Sequence, residues 1–562
     1  MSVSNYLVTD DLTVILGLAA AGLFLLHNLY KPQSLVHPIL LGRQSDVSRV
    51  RNPKESAIYR NYSTGMMGRF PLRPAKELYL LKELLRPELD GPRTLWSTKI
   101  TNPELQKRVT AFGTGLVKQA GLVPRDSNVL LLLNDGLEFL IADMALSSNS
   151  IPSLTLTSSS LLSQVFDEYS PTAIITHADF LPQLLELVYD ANEASNHTII
   201  VVGQPNAKLV RQLAQVRILQ WDDIERQGAQ LEPVEVPTPD VFTVSFYTAS
   251  SGKLRGAELT HQNVTAGVAA IRALFPTSGA LSSLDTIISS HSLSTPYGRA
   301  VAYTAIFEGA SFATVASSNV IGSGAGAARD LSDLKTTERY PIPSPTVLFI
   351  HPSHLTAITQ AITQKAKSSG LLYSVAWRQK MANVLEGFLT KQSLWDRLVF
   401  DPARASVLGN GAGTVRAVII AGGSLESQTV TPSRIALSTP LVNAYIHPQV
   451  AGPVLASHPL DLQTFPTEAS SAAASAADTY AFTYLAPVGS PAINVEAKLT
   501  GVDDNTIESG GDPVGSLWIR GPSVGTLLDV KEAEGEAKGW VEAGETARVL
   551  SNGTFKVTPS KQ

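Results

Sequence analysis

The sequence predicts an α/β protein with a largely parallel sheet covered on both faces, behind one N-terminal membrane helix. Three observations lead there. Short apolar runs rich in Val, Ile and Leu alternate with stretches of helical spacing, 44% of the residues are hydrophobic, and residues 12–26 form an uncharged apolar run. The chain has 562 residues, with Lys+Arg 44 against Asp+Glu 49 and a formal net charge of −5. That balance excludes a nucleic-acid binder held by bulk charge. The absence of cysteine excludes disulfide frameworks, thiolate nucleophiles and zinc sites built on sulfur.

The N-terminal run reads LTVILGLAAAGLFLL, and tolerating His27 and Asn28 extends it to Tyr30. That is close to the ~20 residues that span a bilayer. Asp10 and Asp11 precede it and no Lys or Arg occurs before Lys31, unlike a cleaved signal peptide. Lys31, Arg43, Arg49, Arg51, Lys54 and Arg60 follow it, and one-sided positive charge marks the cytosolic flank. Residues 1–11 are therefore expected as a short leading segment, 12–30 as a single-pass anchor and 31–89 as a basic stalk and lead-in to a cytosolic body. The alternative is a short hydrophobic helix packed on the body or dipping into one leaflet.

Along the body, strands are expected at 129–133, 173–176, 198–202 and 415–420, and a helix at 137–146. The Gly/Ala/Ser stretches 322–328 and 467–477 read as flexible surface insertions. Residues 243–263 read TVSFYTASSGKLRGAELTHQN: a β-rich run, a small-residue loop with two cations, then a helix capped by Thr260. Such a loop offers backbone N–H groups, hydroxyls and Lys/Arg charge to an anion, although the same composition suits an ordinary polar turn. A Walker-type loop is excluded, because Leu254 takes the Ser/Thr position after Gly252-Lys253.

This segment resembles the signature loop of the adenylate-forming enzymes, and among them the long-chain acyl-CoA synthetases. Tyr247-Thr248-Ala249-Ser250-Ser251-Gly252-Lys253-Leu254-Arg255-Gly256 matches that family's Tyr-Thr-Ser-Gly-Thr-Thr-Gly-x-Pro-Lys-Gly with one residue missing, and Leu259-Thr260-His261-Gln262-Asn263 matches its continuation. Tyr297-Gly298-Arg299, the AGG of 421–423, Val488-Gly489-Ser490-Pro491 and Gly539-Trp540 follow in the family's order, so that the resemblance spans residues 90–557. It implies two α/β subdomains plus a small β-rich one. It also implies a chemistry in which ATP, a fatty acid and CoA give acyl-CoA, AMP and pyrophosphate with Mg²⁺.

By the same resemblance, Thr248, Ser250, Ser251, Gly252, Lys253, Arg255 and Gly256 would face nucleotide phosphates, with Gly422, Gly423 and Tyr445 beside the adenine and Glu545 on the ribose. The sequence departs from the family at several of these positions. The loop is short, and Gln449 stands in place of the family's metal-binding Glu, without the negative charge a hard cation prefers. Pro448 replaces a Thr. Residues 558–562 stand where the family continues into a hinge and a lysine-bearing C-terminal domain, which is expected to be absent.

Two functions follow as expectations. The first is a membrane-anchored long-chain fatty acid–CoA ligase with weakened motifs. The second is a catalytically inactive pseudoenzyme that binds a fatty acid, acyl-adenylate or nucleotide, or acts as a scaffold. In a third variant a partner protein supplies the missing domain. The endoplasmic reticulum is the expected location, with the lipid droplet or outer mitochondrial membrane as alternatives, and no nucleic-acid partner is expected. Gly521-Pro522-Ser523-Val524-Gly525 fits the G-x-S-x-G elbow of hydrolases without a following helix. His351 and His354 are expected in a loop near the acyl site, and His291 as a surface or core histidine.

Overall fold

Three sheets organise the chain, and each grows from a different kind of strand. The computed structural model describes residues 11–29, 36, 38–190, 197–205, 217–234, 241–249, 251–322, 326–462, 482–528 and 538–558. Ser250 and the 467–477 stretch lie outside the described residues, as does part of 322–328.

The first sheet has eight strands, with Val129–Leu132, Ser153–Leu156, Ala173–His177, Thr198–Val202 and Val241–Thr248 running parallel among them. The four residues of Val129–Leu132 are all buried, as a run covered on both faces requires. The second sheet has nine strands. Its parallel centre runs Leu441–Tyr445, Ala417–Ile420, Val347–Ile350, Thr286–Ser289, Ser311–Thr314. One apolar core joins these two sheets through the helices between them. The third sheet is antiparallel, with six strands and its own core. Strands Ser45–Val47 and Tyr59–Asn61, from the segment read as a stalk, pair at one of its edges onto Glu496–Thr500.

Two buried carboxylates lock the first sheet to the second. Asp143, on helix Leu137–Ser148, accepts the Tyr303 hydroxyl at 2.7 Å and pairs with Arg299 at 3.4 Å. Arg299 and Tyr303 lie on helix Pro296–Glu308, a crossover of the second sheet, and Arg299 also donates to Thr243 at 2.9 Å. Asp135, just beyond strand Val129–Leu132, accepts from the Ser292 hydroxyl at 3.0 Å and the Leu293 amide at 2.8 Å. Complete burial pushes its carboxyl up to about 6.

Three expectations are corrected. After Val241–Thr248 the chain does not pass through an open loop into a helix. It turns back as strand Leu254–Thr260, antiparallel to the first, with Tyr247 opposite Arg255 and Thr248 opposite Leu254. The helix His261–Arg272 then starts under a Thr260 cap, whose hydroxyl accepts from the Asn263 amide at 3.2 Å. His354 is not in a loop but within helix Pro352–Lys367, while His351 is the single residue connecting that helix to strand Val347–Ile350.

The spanning anchor is likewise unsupported. Helix Asp11–Leu29 forms, with Leu12, Ile15, Leu16, Leu18, Phe24 and Leu25 exposed, but among the described residues no helix is long and apolar enough to cross a membrane. The reason is reach. At 1.5 Å per residue, the uninterrupted run 12–26 covers about 22 Å of a ~30 Å hydrocarbon core, and Asp11, His27 and Asn28 bound it.

Because Asp143 and Arg299 are each 1% exposed, removing either charge strands the other in the core. Asp143→Asn and Arg299→Met are each expected to cost about 3–5 kcal/mol in urea unfolding, with the double substitution costing less than the sum. Asp135 carries a pH signature. A carboxyl whose folded pKa is raised contributes stability that is full below its unfolded value near 3.8 and is lost as pH rises through about 6. The stability difference between wild type and Asp135→Asn is therefore expected to shift against wild type by about 3 kcal/mol from about pH 4 to about pH 7, read by urea melts at stepped pH.

Candidate functional site

Parallel strands deliver whatever follows them to one rim, and in this fold two such rims face each other. In the second sheet, His291 follows Thr286–Ser289, His351 follows Val347–Ile350, Gly422 follows Ala417–Ile420, and Tyr445 ends Leu441–Tyr445. From the first sheet, Val241–Thr248 ends in Tyr247 and Thr248. The third sheet adds Glu545, on strand Val541–Val549. All of these line one cavity of about 1190 Å³. Its position outside the carboxyl ends of parallel strands is the usual place for a ligand in an open α/β sheet. A second cavity of about 920 Å³ lies alongside, and the two share Tyr247, Thr248, His447, Pro448 and Glu545 as a common wall.

Within the first cavity the Tyr445 hydroxyl donates to Glu545 at 2.5 Å. Burial pushes the Glu545 carboxyl up to about 7, so that it titrates near neutrality. His447, buried beside it, is pushed down to about 4 by the same cause and stays uncharged. Gly422 has φ of +82°, and a Cβ there would stand 2.5 Å from the His351 ring and 3.3 Å from that of His291. Glycine thus lets the chain turn against two imidazoles. Gly423 passes Pro352 with room for ordinary contact.

The predicted phosphate-loop residues scatter. Thr248 reaches both cavities, while Ser251 and Arg255 line only the second. Gly252 and Lys253 are exposed and line neither, and Gly256 is buried in the hairpin, its carbonyl accepting from the Leu528 amide at 2.8 Å. The turn itself is closed: the Gly252 amide donates to Ala249 at 2.8 Å, and the Ala249 amide donates to Lys253 at 2.9 Å. Those two N–H groups are therefore engaged within the hairpin and do not face a ligand.

Gln449 is 1% exposed, and its amide nitrogen donates to the Gly525 carbonyl at 2.7 Å. It acts as a brace between two loops. A hard divalent cation needs charged oxygen donors, and among the described residues no group of three or more His, Asp or Glu converges on such a site. At this position the neutral, engaged amide of Gln449 offers a magnesium ion no charged oxygen. Ser523 of the G-x-S-x-G stretch is fully buried, unlike the exposed serine of a nucleophile elbow.

Sequence reasoning placed His351 near the acyl site but did not foresee its pairing with His291 in the cavity. The rings of His291 and His351 stand 4.6 Å apart, and Tyr297 lies edge-on to His291 at 4.9 Å. His354 is turned away, its Nε2 within 2.8 Å of Asp333. The available signal was position: His291 and His351 each directly follow a short apolar strand run.

The AMP-binding enzyme family matches this chain over residues 93–526. Among curated proteins, long-chain-fatty-acid–CoA ligase 5 of Mus musculus is 24% identical over 478 residues, covering 82% of this chain and 64% of that protein. Long chain acyl-CoA synthetase 7, peroxisomal, of Arabidopsis thaliana is 24% identical over 537 residues, covering 89% and 69%. The chain thus spans about two thirds of the length of these relatives. Among solved structures, the anthranilate CoA ligase AuaEII in complex with anthranoyl-AMP superposes with a TM-score of 0.57 at 15% identity, covering 87% of this chain and 78% of that one. The o-succinylbenzoate CoA synthetase of Bacillus subtilis, in complex with its acyl-adenylate intermediate, gives 0.53 at 14%, covering 85% and 77%. The three-sheet body is thus the fold of the adenylate-forming enzymes, and the match over most of its length shows that the chain belongs to the AMP-binding enzyme family.

Proposed function

We propose that the protein serves fatty-acid activation as a binding member of its family. In this reading it holds a carboxylic acid or its acyl-adenylate in the large cavity, and does not process a magnesium-bound triphosphate. One observation carries the reading: in the segment that resembles a phosphate loop, the Ala249 and Gly252 amides bond within the hairpin, and Gln449, at the family's metal-binding position, is braced on Gly525. The volume of about 1190 Å³ exceeds the roughly 300–1,000 Å³ of ordinary small-ligand pockets, which suits a compound ligand with a nucleotide part and an acyl part.

This chain's residues divide the work. Glu545, ionised, accepts from ribose hydroxyls while Tyr445 holds it in place, and Thr248 supplies a hydroxyl at the wall between the cavities. Gly422 and Gly423 let the backbone pass close to the ligand. Magnesium, if bound, would neutralise phosphate charge. A second reading, a long-chain fatty acid–CoA ligase with altered motifs, is favoured by the ligase names of the relatives. Helix Asp11–Leu29, with its apolar side chains exposed, supports attachment at a membrane surface in either reading.

Calorimetry on the full chain in mild detergent distinguishes the two. AMP and a non-hydrolysable acyl-adenylate analogue are expected to bind, with magnesium changing the affinity for ATP by less than about threefold. Magnesium-dependent ATP binding with pyrophosphate release on adding a fatty acid would restore the ligase reading. AMP affinity is expected to rise with pH through about 7, as Glu545 loses its proton and becomes a pure acceptor. Glu545→Gln should flatten that step, measured by the same titrations across the neutral range.

A further inference from the structure

The cavity has a second polar end that the proposed nucleotide role leaves idle. His291 and Tyr297 are 5% and 2% exposed, and both line the cavity. The His291 Nε2 and the Tyr297 hydroxyl have no hydrogen-bond partner. Buried polar atoms are almost always paired, so two orphans on facing rings point to a ligand atom between protein and cavity. His351 completes the wall, its Nδ1 lying 3.2 Å from the Gly422 carbonyl.

Arg329 lines the same cavity and has no ion-pair partner among the described residues. Burial first, then the neighbouring imidazole and Arg329, hold His291 well below the ordinary histidine range. Burial and Arg329 hold His351 down at about 4. Asp333, whose charge also acts on Arg329, is engaged by His354 at 2.8 Å and by the Ser317 amide at 2.9 Å. This end of the cavity therefore offers two unpartnered polar atoms and an exposed guanidinium.

We propose that His291, Tyr297, His351 and Arg329 form a subsite for a second, distal carboxylate, so that the acid this protein binds is an α,ω-dicarboxylic acid and not a simple long-chain one. The proposal rests on the reading that the cavity takes an acid whose reacting carboxylate lies at the Thr248–Tyr445 end. Sheet geometry supplies the length. The strands leading to His291 and Tyr445 are three positions apart in the second sheet, and spacings of about 4.8 Å put roughly 14 Å between their ends. A methyl terminus at His291 would leave two buried donors unpaired, whereas a carboxylate accepts from both and from Arg329 at the wall. In the tautomer with the proton on Nε2, His291 donates directly, as does the neutral Tyr297 hydroxyl.

The test is a titration of the full chain in mild detergent with decanedioate and with decanoate. Wild type is expected to bind decanedioate about tenfold more tightly, the scale of a charge-assisted hydrogen bond. Arg329→Gln and Tyr297→Phe should each remove that preference while leaving decanoate affinity unchanged. Should His291→Leu fail to fold, Arg329→Gln still carries the test, because Arg329 is exposed at the cavity wall. Equal binding of the two acids, or a decanoate affinity that falls with Arg329, would overturn the subsite and leave the acid-binding reading standing. Binding of neither acid by a cooperatively melting protein would overturn both.

Discussion

The ion pair between Asp143 and Arg299 sets the geometry on which everything else rests. Two parallel sheets, each with its own crossover helices, have many ways to pack, since apolar faces are not selective about orientation. A buried carboxylate that also accepts from Tyr303, and a guanidinium that also reaches Thr243, tie the two sheets together in one arrangement, with Arg299 Nε and Nη2 left without a hydrogen bond. That arrangement turns the carboxyl rims of both sheets toward a shared cavity. Asp135 repeats the device closer to the rim, holding the Ser292–Leu293 segment that carries His291 to the cavity wall.

Given this constraint, the cavity residues are those that directly follow a strand, whatever the strand contains. That explains which parts were legible in the sequence. Runs such as VLLL and AVII are apolar without alternation because both faces are covered, so their strands and the α/β class could be read directly. The Thr260 cap was legible for the opposite reason, being a local contact three residues long. Strand Leu254–Thr260 was not. Its residues LRGAELT carry neither a clean period of two nor a buried run, and only pairing with Val241–Thr248 makes them a strand.

The imidazoles were hidden by a different limit. A histidine's chemistry depends on its partners, and neither the 4.6 Å approach of His291 to His351 nor the turn at Gly422 that permits it has any local signature. Tyr445 and Glu545 are a hundred residues apart in the chain and come from different sheets. Resemblance to a family named both, but a hydroxyl that already fills one carboxylate oxygen is a fact of the fold alone.

Electrostatics then divides the cavity. At one end a carboxylate titrating near neutrality meets a tyrosine hydroxyl, an arrangement rich in acceptors that suits sugar hydroxyls. At the other, neutral imidazoles, a phenol with its hydroxyl unpartnered and an exposed guanidinium line the wall. A low-dielectric wall strengthens both preferences, because a mismatched group there loses its water without gaining a partner. A ligand that satisfies both ends must carry hydroxyls at one terminus and an anion at the other, with an apolar span between them. Below Thr248, the Ala249 and Gly252 amides bond within the hairpin and are not offered to a phosphate. Selection in this cavity therefore acts on the two termini of the ligand more than on the length of its middle.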